Sequence, residues 1–262
     1  MSIMFIDTHS HLYEESFGGD RQEAMNRAFD NDVKFLILPN INVQSIKPMN
    51  DLHSAFPQNT AMAMGLHPTD VTVNWREDMK IIENELLSQP DKYVAVGEVG
   101  IDLYWDKSML AEQIEVFDIQ IRLASRLGLP VIIHCRDGLK ETLDVLRGQS
   151  QLPPLIFHSF GGSVDDVALI REIASDVMFG INGIVTFKNS GLRSVLSDIG
   201  LSSMLLETDS PYLAPVPKRG KRNESSYIPF IAQTIADTLG TDIKEVADVT
   251  TGNAIRLFNL KL

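Results

Sequence analysis

The run Ile6-Asp7-Thr8-His9-Ser10-His11 places two histidines two residues apart, at the end of a short apolar stretch that reads as a β-strand. Side chains alternate faces along a strand, so His9 and His11 are expected to point the same way. Two imidazoles side by side at a buried strand end make half of a metal site. An H-x-H pair alone is weak evidence, because histidine also closes strands and satisfies core groups. The rest of the chain offers the other half. Glu98, His134 and His158 each end another apolar run, and Glu207 and Asp209 end a further one. Each has an ordinary explanation when taken singly: a cap, a bond to a loop carbonyl, a turn at Asp209-Ser210-Pro211. Their shared position at strand ends is what those explanations miss. Imidazoles and carboxylates converging in this way suit a divalent metal.

Four histidines (His9, His11, His134, His158) and two carboxylates (Glu98, Asp209) exceed one tetrahedral site. The expectation is two divalent ions (magnesium, manganese or zinc) bridged by Glu98, one oxygen to each. Two such cations lower the pKa of a shared water and stabilise charge on a phosphoryl or carbonyl oxygen. Asp209 is expected both to ligate and to accept the water's proton as general base, with Glu98 the second catalytic carboxylate. Glu207, on the same strand face, is placed with the supporting and substrate-facing residues. Arg136, two residues beyond His134, is expected to point into the same rim, where a guanidinium suits a phosphate. A salt bridge to Glu98 or Asp137 is its structural alternative. His67 and Lys188 complete the expected substrate contacts. Cys135 falls on the face opposite His134 and reads as core or support, not as a nucleophile.

The elements that must position these groups alternate regularly. Apolar strands are expected at 3–6, 33–38, 61–65, 93–98, 130–134, 155–158, 177–180 and 204–207. Helices are expected at 19–31, 43–55, 74–88, 108–127, 139–147, 164–174 and 191–199, and two more close the chain. Ser108 suits an N-cap and Gly128 a helix stop. Continuous apolar strands imply burial on both faces, hence a parallel sheet covered by helices. Eight such units suggest an α/β fold of the (β/α)8 TIM-like barrel type, as a single domain over 1–262, with the polar residues at the C-terminal mouth. A doubly wound open sheet is the competitor, and strand periodicity alone does not separate the two.

The chain has 262 residues, is 44% hydrophobic, and carries a formal net charge of −12. That charge argues against broad, nonspecific adhesion to nucleic acid but not against a phosphate-bearing substrate, because bound cations reverse the local field. Lys218-Arg219-Gly220-Lys221-Arg222 is a compact basic loop, read first as a solvated turn. With one cysteine no intrachain disulfide forms, no apolar run reaches membrane-spanning length, and no signal peptide is read, so a cytoplasmic setting is expected.

With these motifs in hand the sequence resembles the TatD family of metal-dependent deoxyribonucleases. The resemblance rests on Phe5–Leu12, Gly97-Glu98-Val99-Gly100-Ile101-Asp102, Pro130–Arg136, His158–Gly162, Thr186–Asn189, Leu206–Pro211, and Asn253-Ala254 with Leu257-Phe258. It implies a barrel of the metallo-dependent hydrolase superfamily and carries ligand roles to His9, His11, Glu98, His134, His158 and Asp209. It also implies metal-dependent phosphodiester hydrolysis of DNA, often as a 3′-to-5′ exonuclease; the expected partners are a nucleic-acid substrate and no membrane, the chain being a monomer or weak oligomer. Tyr13 and Gly138 depart from the usual residues at their positions. An alternative activity is ester or amide hydrolysis, such as D-aminoacyl-tRNA deacylation, since the same activated water attacks carbonyl carbon. Glu98 stands where many amidohydrolases of the superfamily place a modified lysine, which favours the nuclease side.

Overall fold

The structure, a computed structural model, describes residues 3–89 and 91–262. Eight parallel strands form one sheet in sequence order: β1 (Phe5–Asp7), β2 (Val33–Pro39), β3 (Thr60–Met64), β4 (Tyr93–Asp102), β5 (Val131–Arg136), β6 (Leu155–Phe157), β7 (Val177–Ile181) and β8 (Met204–Leu206). The sheet closes on itself. Thr8 N donates to the Leu206 carbonyl at 2.9 Å, and beyond the strands Ser10 pairs with Ser210. Closure selects the barrel over the open doubly wound sheet, because only a barrel brings the first and last strands together.

Alternate residues of the strands fill the interior. Ile6, Phe35, Ile37, Ala63, Ala95, Ile132, Ile156, Met178 and Leu205 form one buried cluster. Their neighbours in sequence face outward, into a larger apolar layer beneath the helices. That outer layer is covered by α1 (Arg21–Asp30), α2 (Ile46–Ala55), α3 (Trp75–Ser88), α4 (Leu110–Leu127), α5 (Leu139–Arg147), α6 (Val164–Ile173), α7 (Leu196–Ile199), α8 (Ile228–Leu239) and α9 (Ile243–Leu257). Helix α9 shuts the amino-terminal mouth. Ala254 and Phe258 join the interior cluster, Thr251 Oγ1 bonds the Met4 carbonyl, and Asn253 Nδ2 bonds the Met204 carbonyl. Only the carboxyl mouth is left for chemistry.

Several expectations are corrected. Ser108 does not cap α4: the N-cap position is Met109, and the Ser108 hydroxyl bonds Asp106 instead. Helix α2 starts at Ile46 rather than 43, with Ser45 Oγ engaged by the turn amides of Ile41 and Asn42. The segment expected as one helix over 191–199 is a 3-10 turn, Gly191–Val195, running into α7. Strand β4 does not end at Glu98 but runs to Asp102, with its pairing to β5 shifting between Val96 and Val99. Gly100 permits this course. Its φ is +144°, and a Cβ there would stand 1.9 Å from the His134 carbonyl oxygen, so only glycine lets β4 pass β5 so closely.

Candidate functional site

The carboxyl mouth gathers groups from five strands around Glu98, whose side chain is almost wholly buried. Its two oxygens face different partners. Oε2 lies 3.1 Å from His9 Nε2 and 3.5 Å from His11 Nε2. Oε1 lies 2.9 Å from His134 Nδ1, 3.3 Å from His67 Nε2 and 3.6 Å from His158 Nε2. Asp209 Oδ1 completes the ring at 3.7 Å from His11 Nε2, 3.7 Å from His158 Nε2 and 3.9 Å from His9 Nε2. His9 Nε2 and His11 Nε2 approach to 3.1 Å.

These spacings fit cation binding. Ligand atoms bonded at about 2.1 Å to one ion sit roughly 3.0–3.4 Å apart for octahedral or tetrahedral angles. Two imidazole nitrogens and a carboxylate oxygen aimed at one point repel unless a proton or a cation lies between them. Three trios bring ligand atoms within 4.8 Å of one another: His9, His11 and Asp209; His9, His158 and Glu207; and His67, Glu98 and His134. The donor set, nitrogen and oxygen without sulfur, suits zinc, manganese or magnesium alike.

Local structure explains each placement. His9 and His11 follow β1 on a segment held at both ends: His11 N donates to the Ser210 carbonyl, and Asp209 N to the His9 carbonyl. Asp209 has φ +57°, a left-handed conformation that Asp tolerates better than most residues. Asp7 fixes that loop from below. Its buried carboxylate accepts from Thr208 N at 2.9 Å and Thr208 Oγ1 at 2.6 Å. Burial, only partly offset by those bonds, lifts its pKa to about 6. His11 Nδ1 meets the Tyr13 hydroxyl at 2.9 Å, and that hydroxyl donates to the Pro39 carbonyl. The hydroxyl proton is therefore committed, so the Tyr13 oxygen accepts from His11 Nδ1–H and Nε2 keeps its lone pair for the centre. Tyr13, read from sequence only as a departure from the family pattern, thus has a positioning function.

Asp102 is the residue that sequence reasoning missed. Its Oδ2 lies 2.8 Å from His134 Nε2, and its Oδ1 accepts from Tyr104 N at 2.9 Å and Trp105 N at 3.3 Å. Burial opposes its ionisation, but the bonds from His134 and the loop amides outweigh that and hold its pKa below the usual carboxylate value. The charged Asp102 accepts a hydrogen bond from His134 Nε2–H, with Nδ1 turned toward Glu98 Oε1.

Glu207 sits beneath the site and does not face the open cleft. It is 1% exposed, its Oε1 accepts from Ser159 N at 2.6 Å and lies 3.0 Å from His158 Nδ1. The last approach is off the line of the ring N–H, so it is an ion-pair contact and not a directed hydrogen bond. Gly180 makes the room, since a Cβ there would stand 2.1 Å from Glu207 Oε2. Burial opposes a charge on His158, but Glu207, Glu98 and Asp209 together raise its pKa to about 10. Burial and neighbouring His158 push His9 far the other way. Asp209 is raised to about 6 by burial, against the pull of His158 and His11.

The expected substrate contacts divide. His67 enters the centre itself: its Nδ1 accepts from Thr69 N, which leaves the Nε2 proton directed at Glu98 Oε1. Arg136 makes neither of the salt bridges weighed for it. Among the described residues its partners are aromatic, with its guanidinium 3.6 Å from the Tyr104 ring centroid and 5.6 Å from that of Trp105. It lines a cleft of about 840 Å³ together with His134, His158, Phe160, Ile184 and Asp209. Lys188 is exposed and outside that lining. Cys135 packs into the outer apolar layer, and burial raises its thiol pKa to about 11. The basic loop is largely tied down. Arg222 forms a two-pronged pair with Asp20 at 2.7 and 2.8 Å over the Phe17 ring, and Arg219 lies on Phe187.

Comparison with known proteins agrees with this centre. Residues 6–259 match the family described as TatD related DNase. An uncharacterized metal-dependent hydrolase of Bacillus subtilis, YabD, is 36% identical over 259 residues, covering 98% of this chain and 100% of the relative. The 3′-5′ ssDNA/RNA exonuclease TatD of Escherichia fergusonii is 33% identical over 262 residues, covering 97% and 99% respectively. The crystal structure of the TatD homologue YJJV from Escherichia coli superposes with a TM-score of 0.89 at 28% identity, over 98% of both chains. A closed eight-stranded barrel, a histidine–carboxylate centre at its carboxyl mouth and a match across nearly the whole length lead to one assignment: the chain belongs to the TatD family and is a metal-dependent hydrolase.

Proposed function

We propose that this chain, acting as one domain over 1–262, is a two-metal phosphodiesterase that shortens DNA from its 3′ end. The observation that carries the reading is the division of labour at Glu98, whose two oxygens face two separate sets of ligand atoms. His9, His11, Asp209 and Glu98 Oε2 would hold one ion, and His134, His158 and Glu98 Oε1 the other. When bound, the pair would supply a water of lowered pKa and offset charge developing on a phosphoryl oxygen.

The remaining roles fall to the chain's own groups. Asp209, at the open edge of the centre with its carboxyl raised by burial, is the group placed to accept the water's proton. His67 is kept neutral by burial and holds Glu98 from the cleft side through its Nε2–H directed at Oε1. Tyr13, Asp102 and Glu207 hold His11, His134 and His158 in place. The direction of attack follows the similarity to the exonuclease relatives. Lys188, away from the cleft lining, has no role in this reading. A reducing, cytoplasmic setting fits the lone cysteine. No described helix is long and apolar enough to cross a membrane.

The test is end-labelled single-stranded DNA incubated with magnesium, manganese or zinc, beside a panel of aminoacyl-tRNAs. The expected result is metal-dependent release of nucleotides from the 3′ end, reduced at least about a hundredfold in Asp209→Ala, as for loss of a general base. Deacylation of the tRNAs without cleavage of DNA would overturn the phosphodiesterase reading in favour of the ester hydrolase.

A further inference from the structure

Tyr104 and Trp105 stand on the loop after β4, exposed by 53% and 71%. Most other exposed large apolar side chains, such as Val73, Ile81 and Leu169, stand singly, which is ordinary for a protein surface. This pair is contiguous, edge to face at 4.9 Å and 90°. Arg136 lies flat against Tyr104 and also lines the cleft. The loop is fixed to the metal centre by one carboxylate: Asp102 Oδ1 holds the amides of Tyr104 and Trp105, while Asp102 Oδ2 faces His134. A pair of aromatic rings, backed by a guanidinium and anchored one side chain from the ligand cluster, is a platform with open faces.

We propose that Tyr104 and Trp105, braced by Arg136, form a ledge on which a base of single-stranded nucleic acid stacks, so placing the neighbouring phosphodiester over the Glu98 centre. The class of ligand rests on the phosphodiesterase reading above. Flat aromatic and guanidinium surfaces bind unpaired bases without regard to sequence, because every base offers a π-face. Charge complementarity alone does not hold the substrate: the net charge is −12, and Arg219 and Arg222 lie against aromatic rings of the protein, Arg222 also paired with Asp20. Stacking supplies affinity that does not depend on neutralising phosphates. Bases inside a duplex have no free face, so the ledge selects single strands. It also gives Arg136 a function other than the phosphate clamp expected from sequence.

The two tryptophans make the test direct. Trp75 is buried and Trp105 is exposed, so quenching by a nucleic acid reports on Trp105. The full chain with magnesium is titrated with a short phosphorothioate oligothymidylate that resists cleavage, and with its abasic counterpart. The expected result is quenching by the oligothymidylate and weak binding of the abasic strand. Trp105→Ala is expected to weaken oligothymidylate binding roughly five- to 150-fold, the range for losing one stacked base. Trp105→Phe is expected to recover most of that affinity while abolishing the quenching. The Trp105→Ala deficit is expected to persist at raised salt, unlike the loss of a phosphate contact. Absence of quenching, or equal binding by Trp105→Ala and the parent chain, would overturn the ledge. Quenching and binding without cleavage of natural DNA would instead overturn the nuclease reading and leave the ledge standing.

Discussion

Replacing Asp102 by Asn tests whether the buried carboxylate sets the state of His134. Asp102 accepts from three donors: His134 Nε2 at 2.8 Å, Tyr104 N at 2.9 Å and Trp105 N at 3.3 Å. An amide keeps only one acceptor oxygen. If that oxygen turns to His134, the amide NH2 faces two backbone N–H groups, at about 1–3 kcal/mol for each buried donor left unpaired. The oxygen therefore stays with the loop, and the NH2 faces His134. The imidazole proton then moves from Nε2 to Nδ1, the nitrogen 2.9 Å from Glu98 Oε1, and Nδ1 loses the lone pair a cation needs. Changes of this kind behind a metal-bound histidine cost about 10- to 100-fold in metal affinity or activity, or about 1.4–2.7 kcal/mol. The assay is calorimetric titration of chelator-stripped protein with manganese, alongside turnover. The expected Asp102→Asn result is weakening of one class of sites by that factor, with a nearly unchanged melting temperature because the loop amides keep their acceptor. Affinity and turnover within about twofold of the parent would refute the tautomer argument.

Two further perturbations probe the frame. Gly100→Ala forces a methyl group against the His134 carbonyl at a backbone angle that suits only glycine; it is expected to lose more than about 3 kcal/mol in urea unfolding or to fail to fold. Asp20→Asn removes the two-pronged partner of Arg222, which with Arg27 depresses the Asp20 pKa. The side chain is 35% exposed, so solvent screening limits the loss to about 0.5–1 kcal/mol at neutral pH. Because the folded pKa lies below the unfolded one, this contribution is present in full above about pH 5. It fades as pH falls below about 4, so the stability gap between the two proteins is expected to close in acid.

The barrel was legible because each strand carries an apolar run and the longer helices between them are amphipathic. Closure was not: it depends on Thr8 meeting Leu206 across 198 residues of sequence, and local periodicity is silent about that. The convergence of His9, His11, Glu98, His134, His158 and Asp209 on one mouth was readable from their residue types at or near the ends of apolar runs. Asp102 escaped because β4 was expected to stop at Glu98, when the Gly100 passage carries it four residues further. Alternation also failed for Glu207 and Asp209. Strand β8 ends at Leu206, and the left-handed turn at Asp209 sends one carboxylate to the mouth and leaves the other beneath His158. Arg136 sat where expected along the chain, but its direction was decided by Tyr104, a tertiary contact that spacing does not encode.

The shared carboxylate is tested most directly by anomalous scattering from crystals grown with manganese. Two peaks are expected about 3.5–4 Å apart, one on each oxygen of Glu98, the first touched by His9, His11 and Asp209 and the second by His134 and His158. A single peak, or two that do not share Glu98, would contradict a bridging Glu98.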